Sequence, residues 1–304
     1  MMGVVCVGIA VLDVVQRVAV QPRWGVKSVA TGVEVAAGGP ATNAAVTAAA
    51  LGGSATLVTA LGHSPQADLV REDLTRHRVR VLDCAPPGWQ LPVSTCIVDD
   101  RGERTVVAVG ATDSPVEVTD EAREAIRAAG GLLVDGHHPR AGSAALDLRP
   151  PGCPAVLDAG SAKPLVEGWL SRLDVVAGSA DYAAGLGLDL TGALSHVLAA
   201  GAGAGVMTDG ANPVVWAVRD DLADASADAC TDASAEPIVR TVSPPSVTVR
   251  DTLGAGDAFH GALVAALVRG QSLADAVATA CAVASTRVGR AGARGWLADL
   301  VLLV

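Results

Sequence analysis

The sequence predicts an α/β fold with a mostly parallel, buried central sheet. Short Val-rich runs alternate with longer Ala-rich segments, which is the pattern of repeated β-α-β units. Half of the 304 residues are hydrophobic, but only 2% are aromatic, so Ala, Val and Leu must build most of the core. A chain of this length can bury enough of these smaller side chains to be stable.

Six strands and six helices are predicted from this alternation. The strands of the central sheet are predicted at residues 4–10, 55–61, 131–136, 155–159, 174–178 and 205–210. The helices are predicted at 41–51, 66–78, 118–129, 191–200, 256–269 and 273–288. Thr119, which precedes the acidic pair Asp120 and Glu121, is a typical N-cap for the third helix.

Two stretches break the alternation because they are β-rich and contain no helical segment. They are residues 18–37 and 92–109, and in the second a turn at 99–102 separates two alternating runs, which predicts a hairpin. Such a patch predicts a small β lid beside the main sheet, with lid strands at about 11–37 and 90–112. The whole chain, residues 1–304, is predicted to be one domain. Residues 219–236 are acidic and rich in Ala and Ser, which predicts a solvated loop, with a weak helix as the alternative.

Charge and composition exclude several classes of protein. The net charge of −10 and the pI near 5.0 argue against a general nucleic-acid binder. Six scattered cysteines without a CxxC pair favour reduced thiols in a cytoplasmic protein over a disulfide framework or a zinc site. The mean hydropathy is +0.41, but the uncharged stretches at 41–67 and 190–208 contain many small residues and glycines, so no membrane span is expected. The N-terminal apolar run is predicted to be a buried strand, because no basic segment precedes it.

The strongest chemical signal is the glycine motif DTLGAGD at residues 251–257, directly before a predicted helix. Small residues at 254–256 let the backbone approach a ligand, and the N–H groups that begin a helix favour an anion such as a phosphate. Asp257 lies in the first helical turn, where a carboxylate beside a phosphate could accept the proton of an attacking hydroxyl. The residues alone are equally typical of a structural glycine turn followed by an acidic helix N-terminus.

A second glycine motif, GGPATN, occupies residues 38–43 and leads into an Ala-rich helix. Its Gly-Gly pair allows close backbone packing, and Asn43 offers two donors and an acceptor to a polyol. Taken alone, this motif is more typical of a tight strand-to-helix connection.

Together, AGGPATNAAVTAAALGG (37–53) and DTLGAGDAFHGAL (251–263) resemble the two signatures of the ribokinase-like (PfkB) carbohydrate kinases. VGIAVLD (7–13) is similar to the family's first strand and STCIVDDRGERTVV (94–107) to its lid hairpin, so the resemblance covers nearly the whole chain. Several stretches are similar to ketohexokinases and sulfofructose kinases. The resemblance implies a ribokinase-like three-layer sandwich with a small β lid. It also implies ATP-dependent phosphorylation of a primary hydroxyl of a small sugar.

The resemblance also implies roles for the motif residues. Asp257 would be the general base, and the N–H groups of Gly254, Ala255 and Gly256 would stabilise the transferring phosphoryl group. Sugar hydroxyls would contact Asp13, Gly39 and Asn43, and His138 and Arg104 are candidates for a distal or anionic group of the substrate. The nucleotide phosphates would lie against Thr208, Gly210, Thr252, Gly254 and Gly256. Asp251 would help to organise a cation.

ATP and Mg²⁺ are the implied cofactors, and the chain departs from the family pattern around both. Ser179-Ala180-Asp181-Tyr182 stands where many members have an Asn-x-x-Glu motif that helps to organise magnesium. Pro40 replaces a sugar-binding Asn of ketohexokinases, and Pro213 replaces a glycine of the nucleotide loop.

Several functions stay open on the sequence alone. The alternatives are a ribose or nucleoside kinase of the same family, and a catalytically silent member that senses a sugar or nucleotide. A Rossmann-type oxidoreductase is disfavoured, because no GxGxxG follows the first strand. The expected partners are a small sugar and ATP, with neither nucleic acid nor membrane, and a homodimer could form through the lid.

Overall fold

The computed structural model describes residues 3–109, 115–219 and 237–302, and within these ranges the strands form two sheets. The predicted loop at 219–236 lies outside the described residues except for Arg219, as do residues 110–112 of the predicted lid.

The larger sheet has nine strands within the described ranges, in the order β13-β12-β11-β10-β9-β8-β1-β4-β5. These strands are β1 (Val4–Val7), β4 (Ala55–Thr59), β5 (Val79–Asp83), β8 (Gly131–Val134), β9 (Ala155–Ala159), β10 (Val175–Ser179), β11 (Ala204–Thr208), β12 (Val214–Val218) and β13 (Arg240–Val242). All six predicted strands are present, while β5, β12 and β13 were not predicted. The pairs β11–β12 and β12–β13 are antiparallel and all others are parallel, so most strands end at the same edge of the sheet.

The smaller sheet, here called the lid sheet, has the order β3-β2-β6-β7. Its strands are β2 (Val11–Val18), β3 (Gly32–Gly38), β6 (Val93–Asp99) and β7 (Arg104–Val107). The predicted hairpin is present, since β6 and β7 pair antiparallel. Strand β2 begins four residues after β1 ends, so a short connection joins the carboxyl edge of the main sheet to the lid sheet.

Eight α-helices lie in the described ranges. They are α1 (Pro40–Ala50), α2 (Pro65–Arg76), α3 (Asp120–Arg127), α4 (Pro139–Leu148), α5 (Ala180–Gly185), α6 (Leu190–Ala199), α7 (Ala255–Val268) and α8 (Leu273–Val288), with 3-10 segments at Pro164–Arg172 and Gly295–Leu302. All six predicted helices are present, and Thr119 caps α3 by accepting a hydrogen bond from the N–H of Ala122. α4 and α5 were not predicted; α5 has only six residues and α4 begins with Pro139.

Two buried clusters, one on each face of the larger sheet, make this a three-layer sandwich. One cluster contains residues of α1, α7 and α8, and the other contains residues of α3, α4 and α6. Helices α1 and α7 pack closely at Gly261, where a Cβ would lie only 2.4 Å from the carbonyl oxygen of Ala44. None of the helices in the described part of the chain is long and apolar enough to cross a membrane.

Candidate active site

One carboxylate connects the carboxyl edge of the main sheet to the GGPATN motif (38–43). Oδ2 of Asp135, just after β8, accepts hydrogen bonds from the N–H groups of Ile9 (2.9 Å) and Ala41 (3.3 Å). Gly39 caps α1 with a φ of 100°, and a Cβ there would lie 2.5 Å from the carbonyl oxygen of Ile9. Only glycine therefore fits this turn, which sets the start of α1 against the end of β1.

Asp13 projects from lid strand β2 and is buried. Its Oδ1 accepts a hydrogen bond of 2.8 Å from Ser94 Oγ on β6, and a Cβ on Gly38 would lie only 2.0 Å from its Oδ2. Burial raises the pKa of Asp13, while Ser94 and the charge of Arg294 oppose that rise. Gly38 thus makes room for this carboxylate, a role that sequence reasoning did not assign to it.

Asp257 and Asn43 come together although 214 residues separate them in the chain. The Asn43 side chain donates from Nδ2 to Oδ2 of Asp257 at 2.7 Å. The close packing of α1 on α7 carries the two side chains into contact. Shielding from water, together with the charge of Asp158, raises the pKa of Asp257 to about 6, and the bond from Asn43 acts in the opposite direction. A base with a pKa near the working pH is well suited to accept a proton.

An ion pair lies beneath Asp257. Nδ1 of His260 and Oδ2 of Asp158 are 2.8 Å apart, and both side chains are almost fully buried. Burial alone would lower the pKa of His260, but the carboxylates of Asp158 and Asp257 raise it. In return, His260 overcomes the effect of burial and lowers the pKa of Asp158. Neither residue was predicted, because nothing in a sequence shows that residue 158 faces residue 260.

The DTLGAGD motif (251–257) forms the turn that begins α7. Gly254 is the N-cap in the left-handed region (φ 73°), and no heavy atom lies within 4 Å of a Cβ placed on Gly256. The space in front of this helix N-terminus is therefore open to a ligand. The N–H of Ala255 donates to the carbonyl of Thr252 at 3.3 Å, so this group already has a partner within the turn.

Asp251 does not fit the cation-organising role that the resemblance implied. Its Oδ1 accepts from the N–H of Leu253 (3.0 Å), and its Oδ2 accepts from Arg17 (2.7 Å) and the N–H of Gly292 (3.2 Å). Arg287 adds a buried guanidinium 3.4 Å from Oδ1. With both oxygens occupied and two arginines beside it, this carboxylate is a structural anchor, and its pKa is lowered despite burial.

The lid hairpin contacts the DTLGAGD motif (251–257). Thr252 Oγ1 donates to the carbonyl of Gly102 at 2.9 Å, and Arg104 donates to Thr252 Oγ1 at 3.1 Å. Arg104 therefore lies beside the turn at 251–257, and its contact with a distal or anionic group of the substrate stays a prediction.

The predicted nucleotide residues lie at the carboxyl end of β11. Thr208 Oγ1 donates to the carbonyl of Gly178, and Gly210 adopts a φ of 54° with open space around it. Ser179, the first residue of the departure from Asn-x-x-Glu, caps α5 by accepting from the N–H of Tyr182. Tyr182 is fully buried, so this segment serves the core.

One cavity contains two of the five predicted substrate-binding residues, Asp13 and Asn43. It is lined by Asp13, Val15, Ala37, Asn43, Leu253, Gly254, Arg287, Ala293, Arg294 and Trp296. His138 is not among these lining residues. It is buried at the start of α4 with its ring edge-on to Trp89, 5.9 Å between centroids, and burial lowers its pKa. The contact of His138 with a substrate stays a prediction.

Sequence reasoning missed Arg294, Ser94 and Asp73, which surround the predicted residues. Arg294 contacts both Asn43 and Asp73. Arg294 lies in the glycine-rich sequence GRAGARG (289–295) after α8. That sequence has no distinctive residue pattern that would predict a role for Arg294.

Solved structures share this architecture. One from Agrobacterium tumefaciens is 26% identical, has a TM-score of 0.82, and is matched over 99% of this chain and 97% of that chain. The ribokinase of Thermotoga maritima is 21% identical, with a TM-score of 0.78 over 99% of this chain and all of the other. The ribokinase of Arabidopsis thaliana, solved with ribose and ATP, is 22% identical, with a TM-score of 0.74 over 99% and 98% of the two chains.

A three-layer sandwich with a lid sheet, and with a cavity lined by residues of both glycine motifs, defines a ribokinase-like sugar kinase. The family model described as pfkB family carbohydrate kinase matches residues 1–298. The chain belongs to the pfkB family of carbohydrate kinases and is a kinase of that class.

Proposed function

We propose that the protein transfers the γ-phosphoryl group of ATP to a primary hydroxyl of a small sugar, with Asp257 as the general base. The observation that carries this proposal is the position of the Asp257 carboxylate. It stands in the first turn of α7 and accepts a hydrogen bond from Asn43, which lines the same cavity as Asp13. A hydroxyl bound in that cavity would have its proton acceptor and the helix N-terminus on the same side.

The phosphoryl group would be stabilised by the start of α7. The N–H groups of Gly254 and Gly256, the N-terminal end of the helix dipole and the neighbouring Arg104 all favour negative charge there. The N–H of Ala255 could join them after exchanging its bond to Thr252. Thr208, Gly210 and Thr252 are the proposed contacts for the remaining nucleotide phosphates.

Magnesium would enter as part of the Mg-ATP complex. Within the described residues, no group of three or more His, Cys, Asp or Glu side chains could hold a metal ion, and Asp251 is already occupied. The phosphate oxygens and water would therefore supply most ligands of the ion, which is usual for Mg²⁺ bound with a nucleotide. The ion would neutralise charge on the phosphates.

The sugar would be held on the side of Asp13, Gly39 and Asn43. Asp13 and Asn43 present hydrogen-bonding groups to the cavity, as a polyol requires. Ketohexose-like sugars and their acidic derivatives are the first substrate candidates. Ribose-like sugars and nucleosides are the second class, and the similarity in fold to ribokinases supports testing them equally. A catalytically silent sensor is the remaining alternative, against which the intact Asp257 argues.

The lid sheet suggests a partner for this activity. It exposes valines that a monomer would leave in water, and they are Val33, Val35, Val93, Val106, Val107 and Val109. We propose that a second copy of the chain covers this surface. Sedimentation of the wild type and of Val107→Lys would test this proposal. The wild type should sediment as a dimer and the variant as a monomer, because a charge would lie in the interface. A wild type that sediments as a monomer would contradict the dimer.

The first experiment is ADP release from Mg-ATP across ketohexoses, aldoses, sugar acids, sugar phosphates and nucleosides. Asp257→Asn is assayed beside the wild type. A sugar-dependent signal that the variant loses would support the kinase and name its substrate class. ATP binding without turnover of any sugar would favour the sensing alternative.

A further inference from the structure

Arg294 has every donor of its guanidinium engaged at the wall of the cavity. Its Nε donates to Asp73 Oδ2 at 3.2 Å, and one terminal nitrogen donates to Asn43 Oδ1 (3.0 Å) and the carbonyl of Ala293 (3.3 Å). The other terminal nitrogen donates to the carbonyl of Ala37 (2.6 Å) and to Asp73 Oδ2 (3.1 Å). A guanidinium has five N–H bonds, so none is left for a substrate.

We propose that Arg294 is a positioning residue that orients the amide of Asn43 so that Nδ2 donates to Asp257. This inference rests on the proposed role of Asp257 as the base. A guanidinium only donates hydrogen bonds, so the side of the amide facing Arg294 must be Oδ1. The NH₂ group then faces Asp257, whose ionised carboxylate only accepts. A flipped amide would place oxygen against oxygen and N–H against N–H.

Asp73 on α2 holds Arg294 in place. Its Oδ2 accepts both Arg294 donors and also the N–H of Ala37 at 3.0 Å, and the side chain is largely buried. Although burial opposes ionisation, His77, Arg294 and Ala37 together lower the pKa of Asp73 to about 2, so it is a carboxylate at neutral pH. The line of contacts therefore runs from α2 through Arg294 and Asn43 to the first turn of α7.

The main competing explanation is that Arg294 binds the substrate, because it lines the same cavity as Asp13. Binding would require one of its five bonds to break first. The two explanations differ in kinetics. A binding residue raises KM for the sugar, whereas a residue that orients the base machinery mainly lowers kcat.

The central test compares Arg294→Met with Arg290→Met. Arg290 lies four residues earlier, and its guanidinium pairs with Asp299 at the surface, so it is the matched control. We expect Arg294→Met to lower kcat by about 10- to 100-fold, the scale of a small misplacement of reacting groups. KM for the sugar should stay within about twofold, whereas it would rise if Arg294 bound the sugar. Wild-type kcat in Arg294→Met would overturn the proposal.

A double variant tests whether Arg294 acts through Asn43. Once Asn43 is replaced by Ala, there is no amide to orient, so Asn43→Ala/Arg294→Met should have the same kcat as Asn43→Ala. If the two losses multiply, Arg294 acts independently and the proposal is wrong. Arg294→Lys keeps the charge but not the planar fork, and it should fall between wild type and Arg294→Met. It replaces the Met variant if thermal unfolding shows that Arg294→Met does not fold.

Carboxyl NMR of the ligand-free protein separates this inference from the kinase assignment. The Asp257 resonance is assigned by its loss in Asp257→Asn and titrated in wild type, Arg294→Met and Arg290→Met. Loss of the oriented donor should raise the pKa of Asp257 in Arg294→Met only, because a hydrogen bond to the charged form is removed. An unchanged titration would overturn the orienting role. Full turnover in Asp257→Asn would instead overturn the role of Asp257 as the base, whatever the titration shows.

Discussion

The Nδ2 atom of Asn43 lies 2.7 Å from Oδ2 of Asp257, which joins the two glycine motifs of the sequence in one site. Asn43 belongs to α1 and Asp257 to α7, and these helices meet because Gly261 leaves room for the backbone of Ala44. The contact supplies a hydrogen bond to a carboxylate whose pKa the surrounding protein raises. Each of the following predictions depends on this part of the molecule.

Replacing Asp257 by Asn should lower turnover by at least about 10²-fold, because general-base catalysis is removed while shape is kept. ATP binding, measured by calorimetry, should be nearly unchanged, since the N–H groups that begin α7 remain. Turnover near that of the wild type would show that another group accepts the proton.

The rate should fall on the acid side of a pKa near 6. Asp257 must be ionised to accept a proton, and its pKa is raised to about 6, so lowering the pH through that value protonates it and removes activity. The measurement is kcat/KM for the sugar between pH 5 and 8 at saturating Mg-ATP, because kcat/KM reports the free enzyme's groups. A kcat/KM that stays constant down to pH 5 would mean that the base is not shielded from water in solution.

Replacing Asn43 by Ala should weaken sugar binding and also slow turnover. The cavity loses a hydrogen-bonding side chain, which costs about 1–3 kcal/mol when a buried partner stays unpaired. Sugar affinity, ATP affinity and kcat should be measured separately, with ATP affinity expected to be unchanged. An equal loss of affinity for both ligands would point to a folding defect.

Replacing Asp73 by Asn should lower the free energy of unfolding by about 2–3 kcal/mol at neutral pH. The estimate follows from a carboxyl pKa of about 2 in the folded protein and about 3.9 in the unfolded chain. This stabilisation is present above the unfolded pKa and is lost as the pH falls from about 4 towards about 2, as linkage requires. Urea unfolding of Asp73→Asn and of Asp68→Asn, an exposed carboxylate on the same helix, tests it. Equal effects of the two variants would contradict the prediction.

Replacing Gly261 by Val should destabilise the protein by about 1–3 kcal/mol, as expected for overpacking. The added Cβ would lie 2.4 Å from a backbone oxygen, so α1 and α7 must separate, and turnover should fall as Asn43 moves away from Asp257. Gly168→Ala is the control, because the space around that glycine is open. Thermal unfolding and kcat are measured together, and wild-type values for both would show that the helices adapt without cost.

Local patterns predicted most of the fold. The six central strands and six helices follow from hydrophobic runs, helix-forming composition and capping residues such as Thr119, all of which act over a few neighbouring residues. Helices α4 and α5 and strands β5, β12 and β13 were not predicted. The pairing order of the strands could not be read from composition, since it depends on contacts between distant segments.

The residues of the candidate site also divide into those that local sequence patterns predicted and those that depend on contacts between distant segments. The glycine turns and Asp257 are visible in the sequence because backbone conformation and helix starts have local signatures. The pairing of His260 with Asp158 and the occupation of Asp251 by Arg17 and Arg287 have none.

By itself, the sequence determined the α/β class, the family signatures and the residues that begin α1 and α7, because each follows from neighbouring residues. Only the tertiary structure decided that Asn43 faces Asp257, that Arg294 holds Asn43, and that His138 is buried away from the cavity. The physical reason is that a hydrogen bond or an ion pair requires a few ångströms of separation in space, and separation along the chain does not set that distance.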